Sequence, residues 1–531
     1  MSAHTVGLES RTTRESVIVE SENGKLRGFR GEAAVSFKGI PYAAPTGGVN
    51  RFMAPQPVAN WGGVRDTLRL GDRCMQQRTA HGDTRVLSWY AQTEPLSEDC
   101  CVLNVFTPGI NATRRPVMVY VHGGGYVTGG GGGAVLDGSH LAQFGDVVVV
   151  TLNHRLNVFG YLNLGHLDSE RFGDAANAGQ LDLIAALKWI NRNIAAFGGD
   201  PANVTMFGQS GGGSKITVLM GMPEAKGFFH RAISMSGSSG TTVAAAQETE
   251  AYVGEFLRVL RIDKNTLHKL QDIPAATLLE ARQAAVTAKR EGSRPVVDGR
   301  HVFGGPMTVQ CLPHHASVPM LMGTTATEGS FFLANDIRHM TLTERQVMER
   351  LKAQFVLDDV AAHALMQAFR RDDPARTPSE ILLAIMGEGL VRAQMLEAAG
   401  IKASAGQAPV YLYNFTWKAP VDGGIWGAPH TIDIPFAFGN TDRATSLLGS
   451  ASEPAEVAHH LMSAFVAFAR SGNPNNPDMP EWTPFDPIKR TAMLIDRMCG
   501  EVNDYLPNDR ITGSGLRLDR YNCAALMTYR D

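Results

Sequence analysis

Val204-Thr205-Met206-Phe207-Gly208-Gln209-Ser210-Gly211-Gly212-Gly213 is an apolar, strand-like run that ends in a serine set between glycines. It opens into Ser214-Lys215-Ile216-Thr217-Val218-Leu219-Met220, a helical pattern. The spacing Gly-x-Ser-x-Gly suits a sharp strand-to-helix turn, because a serine in strained backbone geometry needs neighbours without side chains on both sides. Such an elbow exposes the hydroxyl at a helix N-terminus, where the dipole and free N–H groups favour developing negative charge. With 56 glycines in 531 residues the pentapeptide also arises by accident, and a glycine-rich surface turn is its plain alternative. Gly208 to Lys215 reads Gly-x-x-x-x-Gly-Ser-Lys, with the last two residues in the wrong order for a phosphate loop. The surroundings of Ser210 therefore decide what it does.

Composition describes a globular chain: 44% hydrophobic residues, no low-complexity tract and no repeat. A net charge of −3 without a basic cluster argues against nucleic acid or an anionic membrane as partner. Met1 to Arg14 is polar and lacks the apolar core of a signal peptide, so a cytoplasmic chain is expected; a secreted chain stripped of its leader reads the same way. The six cysteines, Cys74, Cys100, Cys101, Cys311, Cys499 and Cys523, contain no Cys-x-x-Cys pair, and neither a metal nor a cofactor is expected.

Working outward, Val17-Ile18-Val19, a turn at Asn23-Gly24 and the run to Ala43 predict an N-terminal β meander. Short strands are expected at 102–106, 117–121, 147–152, 204–207, 232–235, 320–323 and 410–415. Between them, Leu181, Ile184, Leu187, Trp189 and Ile194 mark a helix over 180–196. Strand, helix, strand, elbow, helix is the alternation of a large, mostly parallel sheet with helices on both faces, an α/β fold. Residues 343–405 are more purely helical and read as an excursion beside the sheet. With no linker visible, 16–531 is expected to form one domain behind a polar tail, 1–15.

Separated blocks then carry a resemblance: Phe37-Lys38-Gly39-Ile40-Pro41-Tyr42-Ala43, Ser97-Glu98-Asp99-Cys100, His122-Gly123-Gly124-Gly125-Tyr126, Asn153-His154-Arg155, Phe197-Gly198-Gly199-Asp200-Pro201 and Glu328-Gly329-Ser330-Phe331-Phe332-Leu333. In this order they resemble the type B carboxylesterases, the cholinesterase-like branch of the α/β-hydrolases. The resemblance implies a serine esterase needing no cofactor and acting on a small-molecule ester.

A serine hydroxyl is a poor nucleophile, so Ser210 needs a histidine base and a carboxylate to orient it. Many histidines follow Ser210, and chemistry alone selects none. The resemblance selects His430, in Gly427-Ala428-Pro429-His430-Thr431-Ile432-Asp433, as general base and Glu328 as the acid, in the order serine, acid, histidine. Gly124, Gly125 and Gly211 are expected to offer backbone N–H groups to an oxyanion. Ser236 resembles a serine that supports the acid, and Tyr126, Phe331, Phe332 and Gln209 are candidates for the substrate pocket. Gly129, Gly131 and Ala134 fit a dinucleotide fingerprint, but not directly after a strand, which makes an oxidoreductase the weaker reading. A catalytically silent interaction protein on the same fold is the main alternative, and such members typically lose a triad residue.

Two departures stand out. Gln209 occupies a position where the better-known relatives carry glutamate, so a negative charge beside the nucleophile is missing and cationic esters are disfavoured. Cys74 and Cys100 match positions that the family's secreted members join in a disulfide; here a bridge is expected only in oxidised or purified protein.

Overall fold

The computed structural model describes residues 15–77, 84–237, 243–289, 292–308, 310–516, 518 and 523–527. The polar tail expected over 1–15 lies, apart from Glu15, outside the described residues.

One sheet is threaded from Ser16 to Asn503. Its main strands are β1 (Ser16–Ser21), β2 (Gly24–Arg30), β3 (Val35–Pro41), β4 (Val102–Thr107), β5 (Arg115–Val121), β6 (Val148–Leu152), β7 (Gly199–Gln209), β8 (Arg231–Met235), β9 (Met320–Thr325), β10 (Val410–Phe415), β11 (Thr491–Ile495) and β12 (Gly500–Asn503). They lie in the order β1-β2-β3-β4-β6-β5-β7-β8-β9-β10-β11-β12, with the short strand Val64–Asp66 paired onto β2. From β6 to β11 every neighbour is parallel; the meander, β4 and the closing β12 are antiparallel. The expected strands are present, and the meander turns at Asn23-Gly24 as read.

Parallel strands covered on both faces are apolar at consecutive positions rather than alternating with polar ones. In β5, Val117, Val119 and Val121 pack on one face while Met118 and Tyr120 pack on the other. Helix α1 (Ala178–Asn193) buries Leu183, Leu187 and Ile190 against the first face, and its stripe continues through a tighter turn to Phe197. On the opposite face α3 (Glu453–Ser471) inserts Leu461, Phe465 and Phe468. Each such side chain, fully buried, contributes roughly 1.5–3 kcal/mol of transfer free energy. The excursion over 343–405 consists of helices at Glu344–Phe355, Asp359–Phe369, Pro378–Gly387 and Ala393–Ser404, the last two joined by a π-helical turn at Glu388–Arg392. Among the described residues no helix is long and apolar enough to cross a membrane. Among the described residues no disulfide joins any of the cysteines, and Cys74 and Cys100 are buried.

Between β7 and helix α2 (Gly211–Met220) the chain reverses at Ser210, with φ 57° and ψ −126°. Gly208 and Gly212 make the reversal possible. A Cβ on Gly208 would stand 2.7 Å from the Val121 carbonyl oxygen, and one on Gly212 only 1.9 Å from it. The two glycines of Gly-x-Ser-x-Gly thus let α2 rise directly against the end of β5.

A pair of substitutions separates this packing constraint from helix propensity. Gly212→Ala should lower thermal stability sharply or prevent folding, since the clash is with backbone. Gly254→Ala lies in the helix Glu250–Leu260, with open space around the new methyl, and should raise stability by about 0.5–1 kcal/mol. Thermal unfolding of both variants checks the contrast.

Candidate active site

The functional side chains stand where parallel strands end, the edge at which open α/β sheets place their chemistry. Adjacent strand ends are stitched together one after another. Ser210 N–H donates to the Met235 carbonyl at 2.7 Å, and Ser236 N–H donates to the Gly323 carbonyl at 2.7 Å. Past β9, Ala326 N–H donates to Phe415 and Thr327 N–H to Ala428, both at 2.9 Å. A further bridge joins Thr327 to Pro429. The loop carrying Glu328 and the loop carrying His430 are therefore zipped side by side, although 102 residues separate them in sequence.

Glu328 and His430 meet at 2.5 Å, Oε2 to Nδ1, and both are almost fully buried. The other carboxylate oxygen of Glu328 accepts from the Ser236 hydroxyl at 2.7 Å and from Thr325 N–H at 2.8 Å. Ser236 reaches it from a left-handed backbone conformation, φ 51°. Three donors converge on the Glu328 carboxylate and fix its orientation. Because the carboxylate can only accept, a neutral His430 carries its proton on Nδ1 and presents a bare Nε2.

That Nε2 faces the Gln209 side-chain amide at 3.2 Å, so Gln209 Nε2 donates to it. Gln209 is wholly buried, and its Oε1 is without a hydrogen-bond partner. The Ser210 hydroxyl makes no hydrogen bond to His430 among the described residues, in keeping with the looser catalytic contacts of a resting site. Sequence reasoning placed Gln209 in the substrate pocket; in the structure its amide meets the Nε2 edge of His430.

Phe331 and Phe332 stand against the His430 ring, at 5.5 and 5.2 Å between centroids. Tyr90 extends this wall by an edge contact to Phe331 at 6.1 Å. Its adjacency to Trp89 was a visible cue that the sequence reading passed over. The Tyr126 ring packs against Tyr161 at 5.1 Å between centroids and lies over the Lys215 ammonium.

The glycine run packs directly onto the elbow. A Cβ on Gly211 would lie 2.4 Å from the Gly125 carbonyl oxygen, and one on Gly123 would lie 3.3 Å from Ser210 Cβ. Gly124 and Gly125 adopt φ values of 82° and 62°, open to glycine and strained for other residues. The Gly123 carbonyl accepts from His122 Nδ1 at 2.9 Å, and the Gly124 carbonyl from Val127 and Thr128 N–H at 3.3 and 3.2 Å. In a trans peptide the N–H points opposite to the preceding C=O, so these anchors turn the N–H groups of Gly124 and Gly125 away from the anchored side. Among the described residues no group of His, Cys, Asp and Glu is placed to hold a metal ion.

Residues 15–511 match the model of the Carboxylesterase family. The chain belongs to the carboxylesterase family. It is 35% identical to the para-nitrobenzyl esterase of Bacillus subtilis over 500 residues, which cover 92% of this chain and 96% of that one. It is 31% identical to a phenmedipham hydrolase of Pseudarthrobacter oxydans, covering 91% and 96%. Among solved structures, a carboxylesterase of Geobacillus stearothermophilus superposes with a TM-score of 0.80 at 33% identity, covering 93% of this chain and 99% of that one. An esterase from Clostridium hathewayi that can hydrolyse aliphatic aromatic polyesters gives 0.80 at 30% identity, covering 95% and 100%. This carboxylesterase accordingly has the α/β-hydrolase fold and is a carboxylic ester hydrolase.

One acid beneath the site was not singled out from sequence. Asp433 is fully buried at the start of the helix Asp433–Phe438, and its Oδ2 accepts from the Tyr413 hydroxyl at 2.9 Å. Burial, aided by the charge of Glu328, raises its pKa to about 7. A raised folded pKa contributes stability that is fully present below the unfolded value and is lost as pH rises through about 7. Asp433→Asn keeps an acceptor for Tyr413 but cannot ionise. Its stability relative to wild type should therefore rise between pH 4 and pH 8, on the order of 1–4 kcal/mol, in parallel denaturant titrations.

Proposed function

We propose that the carboxylesterase cleaves neutral or anionic carboxylic esters through an acyl-enzyme formed on Ser210, with His430 as base and Glu328 as its orienting acid. The observation that carries this reading is the buried Glu328–His430 pair beside the elbow, its Nε2 bare of a proton. Ser210 attacks the ester carbonyl as His430 takes its proton. His430 then protonates the leaving alcohol, and in the second half-reaction it activates the water that hydrolyses the acyl-enzyme. Glu328 remains ionised throughout and stabilises the imidazolium. The N–H groups of Gly124, Gly125 and Gly211 hold the oxyanion of each tetrahedral intermediate, the interaction that strengthens as charge develops. Every step uses the chain's own groups, and the catalytic unit is taken to begin at residue 16.

Gln209 bears on this cycle in two ways. Its amide occupies Nε2 at rest and must release it for Ser210, and when Nε2 is protonated the unpartnered Oε1 is the acceptor that a turn of the amide supplies. Being neutral, it adds no anion beside the nucleophile to attract a cationic substrate. The aromatic wall of Tyr90, Phe331 and Phe332 suits an uncharged acyl or aryl group.

Ser210→Ala should lower turnover of a chromogenic ester by roughly 10,000-fold or more while leaving the fold intact. In the same assays, preference for a choline ester over an uncharged ester of equal size would sink the assignment of substrate charge.

A further inference from the structure

Lys215 follows Ser210 by five residues on α2 and is fully buried among Ile216, Val218, Leu219 and Met220 of the same helix. Among the described residues no carboxylate lies within ion-pairing distance of it. Its ammonium donates to the His122 carbonyl at 2.9 Å and stands 5.8 Å over the Tyr126 ring. Burying an amine without an anion is costly, and burial brings its pKa down to about 7. An apolar residue of similar length would fill the same space without that cost, so the reason for a lysine lies in what its head group holds.

It holds the first peptide of the glycine run. Three consecutive carbonyls are claimed from behind: His122 by Lys215 Nζ, Gly123 by His122 Nδ1, and Gly124 by the N–H groups of Val127 and Thr128. Since N–H and C=O oppose one another across a trans peptide, each anchor orients the next N–H, in turn those of Gly123, Gly124 and Gly125. Burial together with the nearby Lys215 holds the His122 pKa well below its usual range, so the ring is neutral and its contact with the Gly123 carbonyl places its one proton on Nδ1. The His154 ring stacks on His122 at 4.9 Å and 19°, its own Nδ1 set at 2.8 Å from the Arg155 carbonyl, which leaves the His122 ring little room to rotate. The Lys215 contact underlies the second anchor, because it fixes the residue whose ring supplies it; the third comes from Val127 and Thr128.

We propose that Lys215 is a positioning residue of the oxyanion hole: by pinning the His122 carbonyl it holds the first peptide of the glycine run and the residue whose ring anchors the next, the peptide that aims Gly124 N–H at the developing oxyanion beside Gly125 N–H. This rests on reading those two N–H groups as oxyanion donors. Acylation and deacylation both pass through a tetrahedral oxyanion, so a misaligned hole slows both and leaves KM largely unchanged.

The test measures kcat, KM and the affinity for an aryl trifluoromethyl ketone, which forms a tetrahedral adduct on a nucleophilic serine. Loss of a whole oxyanion donor costs 10²–10³ in kcat in other enzymes, so displacement of the loop in Lys215→Met should cost about 10- to 100-fold. KM should stay within about twofold, and ketone affinity should fall by the same factor as kcat. A merely structural lysine would not tie turnover to transition-state affinity in this way. If Lys215→Met does not fold, Lys215→Arg carries the test; it retains a donor but shifts the carbonyl, and should lower kcat and ketone affinity together by about 3- to 10-fold. Unchanged kcat and ketone affinity in a folded variant, or a raised KM at unchanged kcat, would overturn the proposal. Failure of the underlying Ser210 reading is separable, because Ser210→Ala would then bind the ketone as tightly as wild type.

Discussion

At Gly212 the helix after the nucleophile elbow comes so close to β5 that an added methyl would lie 1.9 Å from the Val121 carbonyl oxygen. Much of the site depends on this approach. It brings the N-terminal turn of α2 level with the glycine run that leaves β5, so Gly211 and Gly125 are in backbone contact and Ser210 faces the same space as the run. The sequence cost is a serine held at positive φ, a conformation costing on the order of 1–3 kcal/mol that persists because the packed strand and helix on either side leave no alternative.

Sheet order does the rest. Strands β7, β8, β9 and β10 are neighbours and parallel, so Ser210, Ser236 and Glu328 stand in a row just past the ends of the first three, and the long loop after β10 returns His430 beside them. Two of these, Ser210 and Ser236, sit at positive φ, which turns the chain sharply at the strand end and lets Ser236 reach Glu328. The acid and the base need no long reach toward each other, because their loops continue the β9–β10 pairing through Thr327 and Ala428. A buried carboxylate is costly to desolvate; here three donors to Glu328 offset that cost, and the contact serves the orientation of His430.

What was legible in the sequence was local or ordered along the chain. The apolar runs of the parallel strands, the Asn23-Gly24 turn, the glycine-flanked serine and the relation of Glu328 and His430 to their loops are short-range signals. The last two strands, β11 and the edge strand β12, escaped notice: Thr491-Ala492-Met493-Leu494-Ile495 has few β-branched residues, and Gly500-Glu501-Val502-Asn503 is largely polar. Side-chain direction was also beyond reach. Tyr126 and Gln209 sit next to functional residues in sequence, but their partners, Tyr161 and Lys215 for the one and His430 for the other, are set by the fold. Lys215 was visible as a lone charge in an apolar helix. Its carbonyl partner, 93 residues earlier, could be found only by folding the chain.

The central claim is that this geometry activates one serine. Reaction of the native enzyme with a fluorophosphonate at neutral pH, followed by peptide mass spectrometry, tests it most directly. One covalent adduct per chain is predicted, on the peptide containing Ser210, and it should be lost when His430 is replaced by alanine. Labelling at a different serine, or undiminished labelling of Ser210 without His430, would contradict the account.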